Sequence, residues 1–278
     1  MTTSDATLVI SGYDSPEGPA FDRDGNLYFV NWLSSSIVRL TPEGEAGEFF
    51  NTGGIPAGLA FHRDGSLYVA DEGDDIHGIM RIADGRAAIL VNEYQGKPLN
   101  GANDLVFDRD GVLYLSDPWR SSRANPIGSF YRLFPDGALE QIDTGLAFPN
   151  GVALAADGSA AYLAETGEHR ILRYSIAADG GIGPRQEFAQ LPGGEGPDGM
   201  AFDEAGNLYV AHYGGGRVAI LDPSGSLTDE IRIPGANVTN VAFGGPDRRR
   251  LVITDVETAS LYETTVDVPG LALFGDAR

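Results

Sequence analysis

Gly58-Leu-Ala-Phe-His-Arg-Asp-Gly-Ser-Leu-Tyr-Val-Ala70 decides the fold, because close variants of it recur six times along the 278-residue chain. In each copy a short run ending in an apolar anchor enters a polar turn, and a second run rich in Leu, Tyr and Val follows. Two such runs around a Gly-containing turn read as a β-hairpin. The turn tips fall at Gly25, Gly65, Gly111, Gly158 and Gly206, with a sixth near Asp247, so the copies recur every 40 to 48 residues. That period belongs to propeller blades and solenoid units. A second pair of strands follows each hairpin: Ile37-Val-Arg-Leu, Ile79-Met-Arg-Ile, Phe130-Tyr-Arg-Leu, Ile171-Leu-Arg-Tyr and Val218-Ala-Ile-Leu each precede a turn and another strand. Four strands per period over six periods predict an all-β, six-bladed β-propeller of four-stranded blades, running through residues 1–278 as one domain.

The sixth copy is short, with only Ser260-Leu-Tyr-Glu-Thr-Thr265 reading as a strand before Pro269-Gly270. At the other end Ala6-Thr-Leu-Val-Ile10 has no hairpin partner. An unpaired strand edge is a liability, so the N-terminal strand is expected to join the last blade and close the ring. No segment reads as an amphipathic helix, and 38 Gly with 16 Pro suit a turn-rich all-β chain.

One column of the repeat is polar. Four residues before the anchors Phe21, Phe61, Phe107, Leu154, Phe202 and Phe243 stand Glu17, Ala57, Asn103, Asn150, Asp198 and Thr239. If the repeats form a ring, this column converges at one mouth of a central channel. A second set, Asn31, Asp71, Asp117, Glu165, His212 and Asp255, ends the returning strands on the same side. Like charges gathered on an axis repel unless a cation neutralises them. Carboxylate and carboxamide oxygens without Cys, and without His in the inner column, match Ca²⁺; Mg²⁺, Mn²⁺, Fe²⁺ and Zn²⁺ stay open as alternatives. The competing reading is that these residues only hydrate a channel, or that Asn and Asp stand beside Gly as turn formers. It does not account for Glu17. Ala57 and Thr239 mark the sides on which the coordination sphere stays open.

Composition narrows the function classes. A formal charge of −21 argues against a nucleic-acid surface, and the absence of Cys removes disulfides, thiol nucleophiles and thiolate zinc sites. Lys97 is the only lysine, which disfavours Schiff-base chemistry. No apolar run approaches a membrane span, and Met1-Thr-Thr-Ser-Asp-Ala lacks the features of a signal peptide, so the expectation is a cytoplasmic protein with no membrane partner. Gly194-Glu-Gly-Pro-Asp-Gly199 matches G-x-G-x-x-G in letters only, since a strand follows it. Neither G-x-S-x-G nor H-E-x-x-H occurs. His62 and His169 read as solvated turn residues, and the Asp71-Glu-Gly-Asp-Asp run as a solvated loop. His212 alone joins the channel-facing set and is a candidate substrate contact and proton shuttle. Trp32, Trp119, Phe148 and Tyr213 are candidates for a pocket wall.

Glu17-Gly-Pro, Leu99-Asn-Gly-Ala-Asn-Asp104, Ser116-Asp-Pro, Phe148-Pro-Asn-Gly-Val152, Gly196-Pro-Asp-Gly199 and Thr239-Asn-Val-Ala-Phe-Gly-Gly-Pro-Asp247 together resemble the senescence marker protein/gluconolactonase/luciferin-regenerating enzyme family. Asp117-Pro-Trp-Arg and Tyr209-Val-Ala-His-Tyr are most similar to its bacterial gluconolactonase and drug-responsive lactonase branches. The resemblance implies a six-bladed propeller with a divalent cation, usually calcium, in the channel. It implies Glu17, Asn150 and Asp198 as ligands, with Asn103 a fourth ligand or a substrate contact. Where the animal sugar lactonases carry an arginine two residues before that asparagine, this chain has Gly101.

The expected activity is metal-dependent hydrolysis of a small-molecule lactone to a hydroxy acid, gluconolactonase-like. Asp198 is the expected catalytic residue, as general base through water or as direct nucleophile. Asn103, His212, Asp117 and Trp119 are the expected substrate contacts. Organophosphate or aryl-ester hydrolysis on the same metal site is the alternative chemistry. A binding propeller with a structural cation is the non-enzymatic one.

Overall fold

A computed structural model describes residues 6–276. The first five residues, read above as lacking a targeting segment, lie outside the described residues. The chain falls into two compact units, one of Met1–Pro16 with Asn150–Leu271 and the other of Glu17–Pro149 with Ala272–Arg278. Each contains three four-stranded antiparallel sheets, and these six sheets are the blades of a six-bladed β-propeller.

Blade one is Pro16–Phe21, Leu27–Asn31, Ser36–Leu40 and Ala46–Asn51, hydrogen-bonded in that order, and blades two to five repeat the pattern. Blade six is Val238–Gly244, Arg250–Asp255 and Ser260–Thr265, completed by Thr7–Ser11. The N-terminal strand pairs antiparallel with Ser260–Thr265, as its unpartnered sequence requires. A small hairpin, Glu93–Tyr94 with Lys97–Pro98, is added between blades two and three; nothing in the repeat announced it. Among the described residues the only helical segments are three 3₁₀ turns, Trp32–Ser34, Thr166–Glu168 and Phe274–Asp276. No described helix is long and apolar enough to cross a membrane.

Burial falls from the first strand of a blade to the fourth. Pro56–Phe61 and Leu67–Asp71 are largely buried, whereas Arg86–Val91 of the same blade is mostly exposed. Proline opens several first strands (Pro16, Pro56, Pro149), an edge position where its missing N–H costs no ladder bond.

The conserved letters of the repeat hold neighbouring blades together. The Tyr of one blade's second strand meets the anchor Phe of the next edge-on: Tyr28 with Phe61 at 5.0 Å, Tyr68 with Phe107 at 4.9 Å, Tyr162 with Phe202 at 4.9 Å, Tyr209 with Phe243 at 5.0 Å. Edge-to-face pairs of this kind add about 0.5–1.5 kcal/mol each beyond area burial. The hairpin tips are equally regular. Asp22 Oδ1 accepts from the amides of Asp24 (3.0 Å) and Asn26 (2.9 Å), and Gly25 takes φ +83°. Asp108 and Asp203 make the same two bonds in their blades. His62 replaces that Asp in blade two and is only partly exposed: its ring packs at 4.9 Å from Phe274 and 5.4 Å from Phe107. Aromatic surroundings, invisible from the local sequence, draw it in.

Candidate active site

The polar column lies within or immediately before the first strand of each blade, and its members are buried except for Asn103, which is partly exposed. Glu17 is 9% exposed, Asn150 5% and Asp198 8%. They sit inside Pro16–Phe21, Pro149–Leu154 and Gly196–Phe202, so the turn-former reading fails for them. In blades two, five and six the ladder with the second strand shifts register across the column position, between Pro56 and Leu59, Pro197 and Met200, and Val238 and Asn240. A β-bulge kinks the strand and re-aims a side chain.

The glycine after the column residue has a separate cause. A Cβ on Gly18 would collide with the Ala57 carbonyl, on Gly58 with the Asn103 carbonyl, on Gly151 with the Asp198 carbonyl, and on Gly199 with the Asn240 side chain. Within the second unit Glu17-Gly18 therefore packs against Ala57-Gly58, and that pair against Asn103. Within the first unit Asn150-Gly151 packs against Asp198-Gly199, and that pair against Asn240. At Gly18, Gly58 and Gly151 glycine lets backbone meet backbone and brings one column position against the next, and at Gly199 it makes room for the Asn240 side chain.

Carboxylates of the second set bond to the loops at their strand ends. Asp117, 1% exposed, accepts from the Gly101 amide at 2.7 Å, the Asn100 amide at 3.0 Å and Asn100 Nδ2 at 3.1 Å. Asp71 accepts from the amides of Ile55 (3.0 Å) and Gly73 (2.8 Å), and Asp255 from Thr258 N and Oγ1, both at 2.7 Å. These carboxylates clamp the loops at the strand ends. Burial, which outweighs the lowering by the Asn100 and Gly101 amides, pushes Asp117 up to about 6. Glu165 instead pairs with Arg170 at 2.7 Å.

His212 is held inside the fold. Its ring is 1% exposed; Nε2 donates to the Gly193 carbonyl at 2.6 Å and Nδ1 accepts from Arg217 Nε at 3.2 Å. Both ring nitrogens are engaged, and Nε2 ties Gly193 to the blade. Burial, with the Arg217 and His169 charges, depresses its pKa against the opposing pull of the Gly193 bond. Trp119 packs beside Gly101, whose φ is +145° and whose Cβ would meet Trp119 Cβ at 2.8 Å and the Glu72 carbonyl at 2.9 Å. No side chain fits there, so the arginine of the animal sugar lactonases has no counterpart.

Asn103 precedes the strand Leu105–Phe107; its amide donates to the Ser116 carbonyl at 3.0 Å. Its side-chain Nδ2 donates to Glu72 Oε1 at 2.8 Å. Glu72 is a residue that the motifs did not single out. Burial, reinforced by the Asp71 and Asp117 charges and opposed by the Asn103 bond, pushes its carboxyl up to about 8. One signal was available: in the position directly after the second set stand Trp32, Glu72, Pro118, Thr166, Tyr213 and Val256, and Glu72 is the single charge among them.

Carboxylate and carboxamide oxygens are the donor types that hard cations take. Among the described residues no group of three or more His, Cys, Asp or Glu side chains gathers as a metal site. Glu17 and Asn103 are carried by one unit and Asn150 and Asp198 by the other, and each by its chemistry is an oxygen donor that suits a hard cation.

The family model of the SMP-30/Gluconolactonase/LRE-like region matches residues 15–257. The chain belongs to this family. Among relatives, it is 32% identical to the pentonolactonase of Haloferax volcanii over 93% of this chain and 89% of that one. It is 30% identical to the diisopropyl-fluorophosphatase of Loligo vulgaris, covering 92% and 90%. A solved gluconolactonase of Xanthomonas campestris superimposes with a TM-score of 0.82 at 28% identity, covering 95% of this chain and 88% of that one. The family resemblance read from the spaced motifs and the propeller fold are both borne out.

Proposed function

We propose that this member of the SMP-30/gluconolactonase/LRE-like family is a metal-dependent lactonase that hydrolyses a small cyclic ester to a hydroxy acid. Full-length similarity to relatives named as lactonases supports the reaction class. The observation that supports the site assignment is the buried column of Glu17, Asn150 and Asp198, each followed by a glycine with no room for a side chain. Glu17, Asn150 and Asp198, with Asn103, would hold the cation, and the all-oxygen set favours Ca²⁺ over Zn²⁺. When bound, the cation supplies Lewis-acid polarisation of the ester carbonyl.

Asp198 acts as general base. Its carboxylate takes a proton from water as the water oxygen bonds to the carbonyl carbon; the ring C–O bond then breaks, and the proton passes to the departing alkoxide. Asp117 contributes by holding the Asn100-Gly101 backbone ahead of Asn103, and Trp119 walls that segment. His212 acts only by bracing its loop.

Asp198→Ala should abolish lactone hydrolysis while leaving thermal unfolding cooperative; retained turnover in that variant removes Asp198 from the chemistry. The similarity to diisopropyl-fluorophosphatase favours a second reading, phosphoryl-ester hydrolysis at the same residues. Parallel kcat/KM values for a sugar lactone, an aryl ester and a fluorophosphate decide between them, with the lactone expected to be turned over best.

A further inference from the structure

Glu72 is a buried carboxyl in the fold that loop clamping does not explain. Its neighbours Asp71 and Gly73 belong to the clamp on Ile55, but its own side chain reaches into the next blade and accepts from Asn103 Nδ2 at 2.8 Å. Its backbone is fixed from both directions. Glu72 N donates to the Ile55 carbonyl at 2.9 Å, and its Cα and carbonyl lie against Gly101, where a Cβ would stand 3.0 and 2.9 Å away. Gly101 is itself held by Asp117. The acceptor is therefore delivered by a rigid frame to one end of one carboxamide.

We infer that Glu72 is a positioning residue: by accepting from Nδ2 it fixes which end of the Asn103 carboxamide is tethered and leaves Oδ1 as the oxygen Asn103 offers as a ligand. A carboxamide is nearly symmetric in shape, and with no partner its oxygen and nitrogen can exchange places. Only the oxygen binds a cation, so an amide that turns over loses its ligand. Outer partners that orient ligating side chains commonly control metal affinity. The tether also separates the two roles expected of Asn103, since it favours the ligand over the donor to substrate.

The inference rests on the lactonase reading above, in which Asn103 is a ligand, and its test separates the two. Ca²⁺ is titrated calorimetrically into metal-stripped wild type, Glu72→Met, Glu72→Ala, Glu72→Gln, Asn103→Ala and the Glu72→Met/Asn103→Ala double variant. Glu72→Met and Glu72→Ala should each weaken Ca²⁺ binding about 10- to 100-fold. Glu72→Gln, which keeps an acceptor oxygen, should stay within roughly threefold of wild type. The double variant should bind like Asn103→Ala alone, because Glu72 acts through that residue. Thermal unfolding of the metal-free proteins shows that the Glu72 variants fold. Wild-type affinity in both Glu72→Met and Glu72→Ala, or additive losses in the double variant, overturns the inference. Absence of Ca²⁺ binding by wild type overturns the metal reading on which it stands.

Discussion

Gly151→Ala is the smallest change that should damage the site without touching a ligand. The added methyl would collide with the Asp198 carbonyl oxygen and lie 2.8 Å from Gly199 Cα and 3.1 Å from Asp198 C. All three are backbone atoms, so no side chain can swing away. Relief requires the strand carrying Asn150 to move from the one carrying Asp198 by about 1 Å, since carbon contacts are optimal near 3.5–4.0 Å. Overpacking of a rigid contact costs typically 1–3 kcal/mol, and the backbone neighbours put this case near the upper end. In a chain of this size each 1 kcal/mol lowers Tm by roughly 2–4 °C, so a loss of about 5–10 °C is expected. The same displacement separates Asn150 from Asp198, and a 1 Å misplacement can lower turnover about 100-fold. Differential scanning fluorimetry and lactone hydrolysis measure the two effects. Gly47→Ala, at a strand position with nothing within 4 Å, is the control and should change Tm by less than about 1 °C. Unchanged Tm and turnover in Gly151→Ala would refute the claim that glycine serves close backbone approach here.

Asp117→Ala leaves the buried Asn100 and Gly101 amides without their acceptor and should lower stability by about 1–3 kcal/mol in denaturant titration. The pH dependence of Asp117 has a definite sign. Its folded pKa, about 6, lies above the unfolded value of 3.8, so its contribution is full below pH 3.8 and is lost as pH rises towards 6; the difference in stability between wild type and Asp117→Asn should therefore drift across that window and be flat above it. His212 has the opposite dependence: its folded pKa is depressed below 6.5, so stability falls as pH drops below 6.5. A His212→Asn variant should lose that acid sensitivity in unfolding curves from pH 7 to 5. If wild type and variant run parallel, His212 is not buried neutral.

The repeat made the blades legible because strand alternation, turn glycines and the Tyr and Phe anchors are local signals. The same anchors turn out to form the ladder between blades. The N-terminal strand was legible for a different reason: Ala6-Thr-Leu-Val-Ile10 had no partner nearby and blade six lacked a strand. The polar column was visible at a fixed offset from Phe or Leu. What its glycines do was not, because Gly18, Gly151 and Gly199 answer to atoms some 40 residues away. Position alone did not reveal the hydrogen bonds of Asp117 and His212 to their loops. A side chain at a strand end can face a channel or fold back on its own loop, and hydrogen-bond partners such as Gly101 N and Gly193 O decide which. Glu72 stayed hidden in the acidic run after Asp71, since a buried glutamate and a solvated one look alike in sequence.

Metal removal and return tests the central claim most directly. Chelator-treated protein is assayed on a panel of sugar, aliphatic and aryl lactones, then reloaded separately with Ca²⁺, Mg²⁺, Mn²⁺, Fe²⁺ and Zn²⁺, with circular dichroism recorded at each stage. The account predicts that lactone hydrolysis disappears on stripping while the all-β spectrum persists, and returns best with Ca²⁺. Full lactone turnover by the stripped protein, or no turnover with any of the five ions, would contradict it.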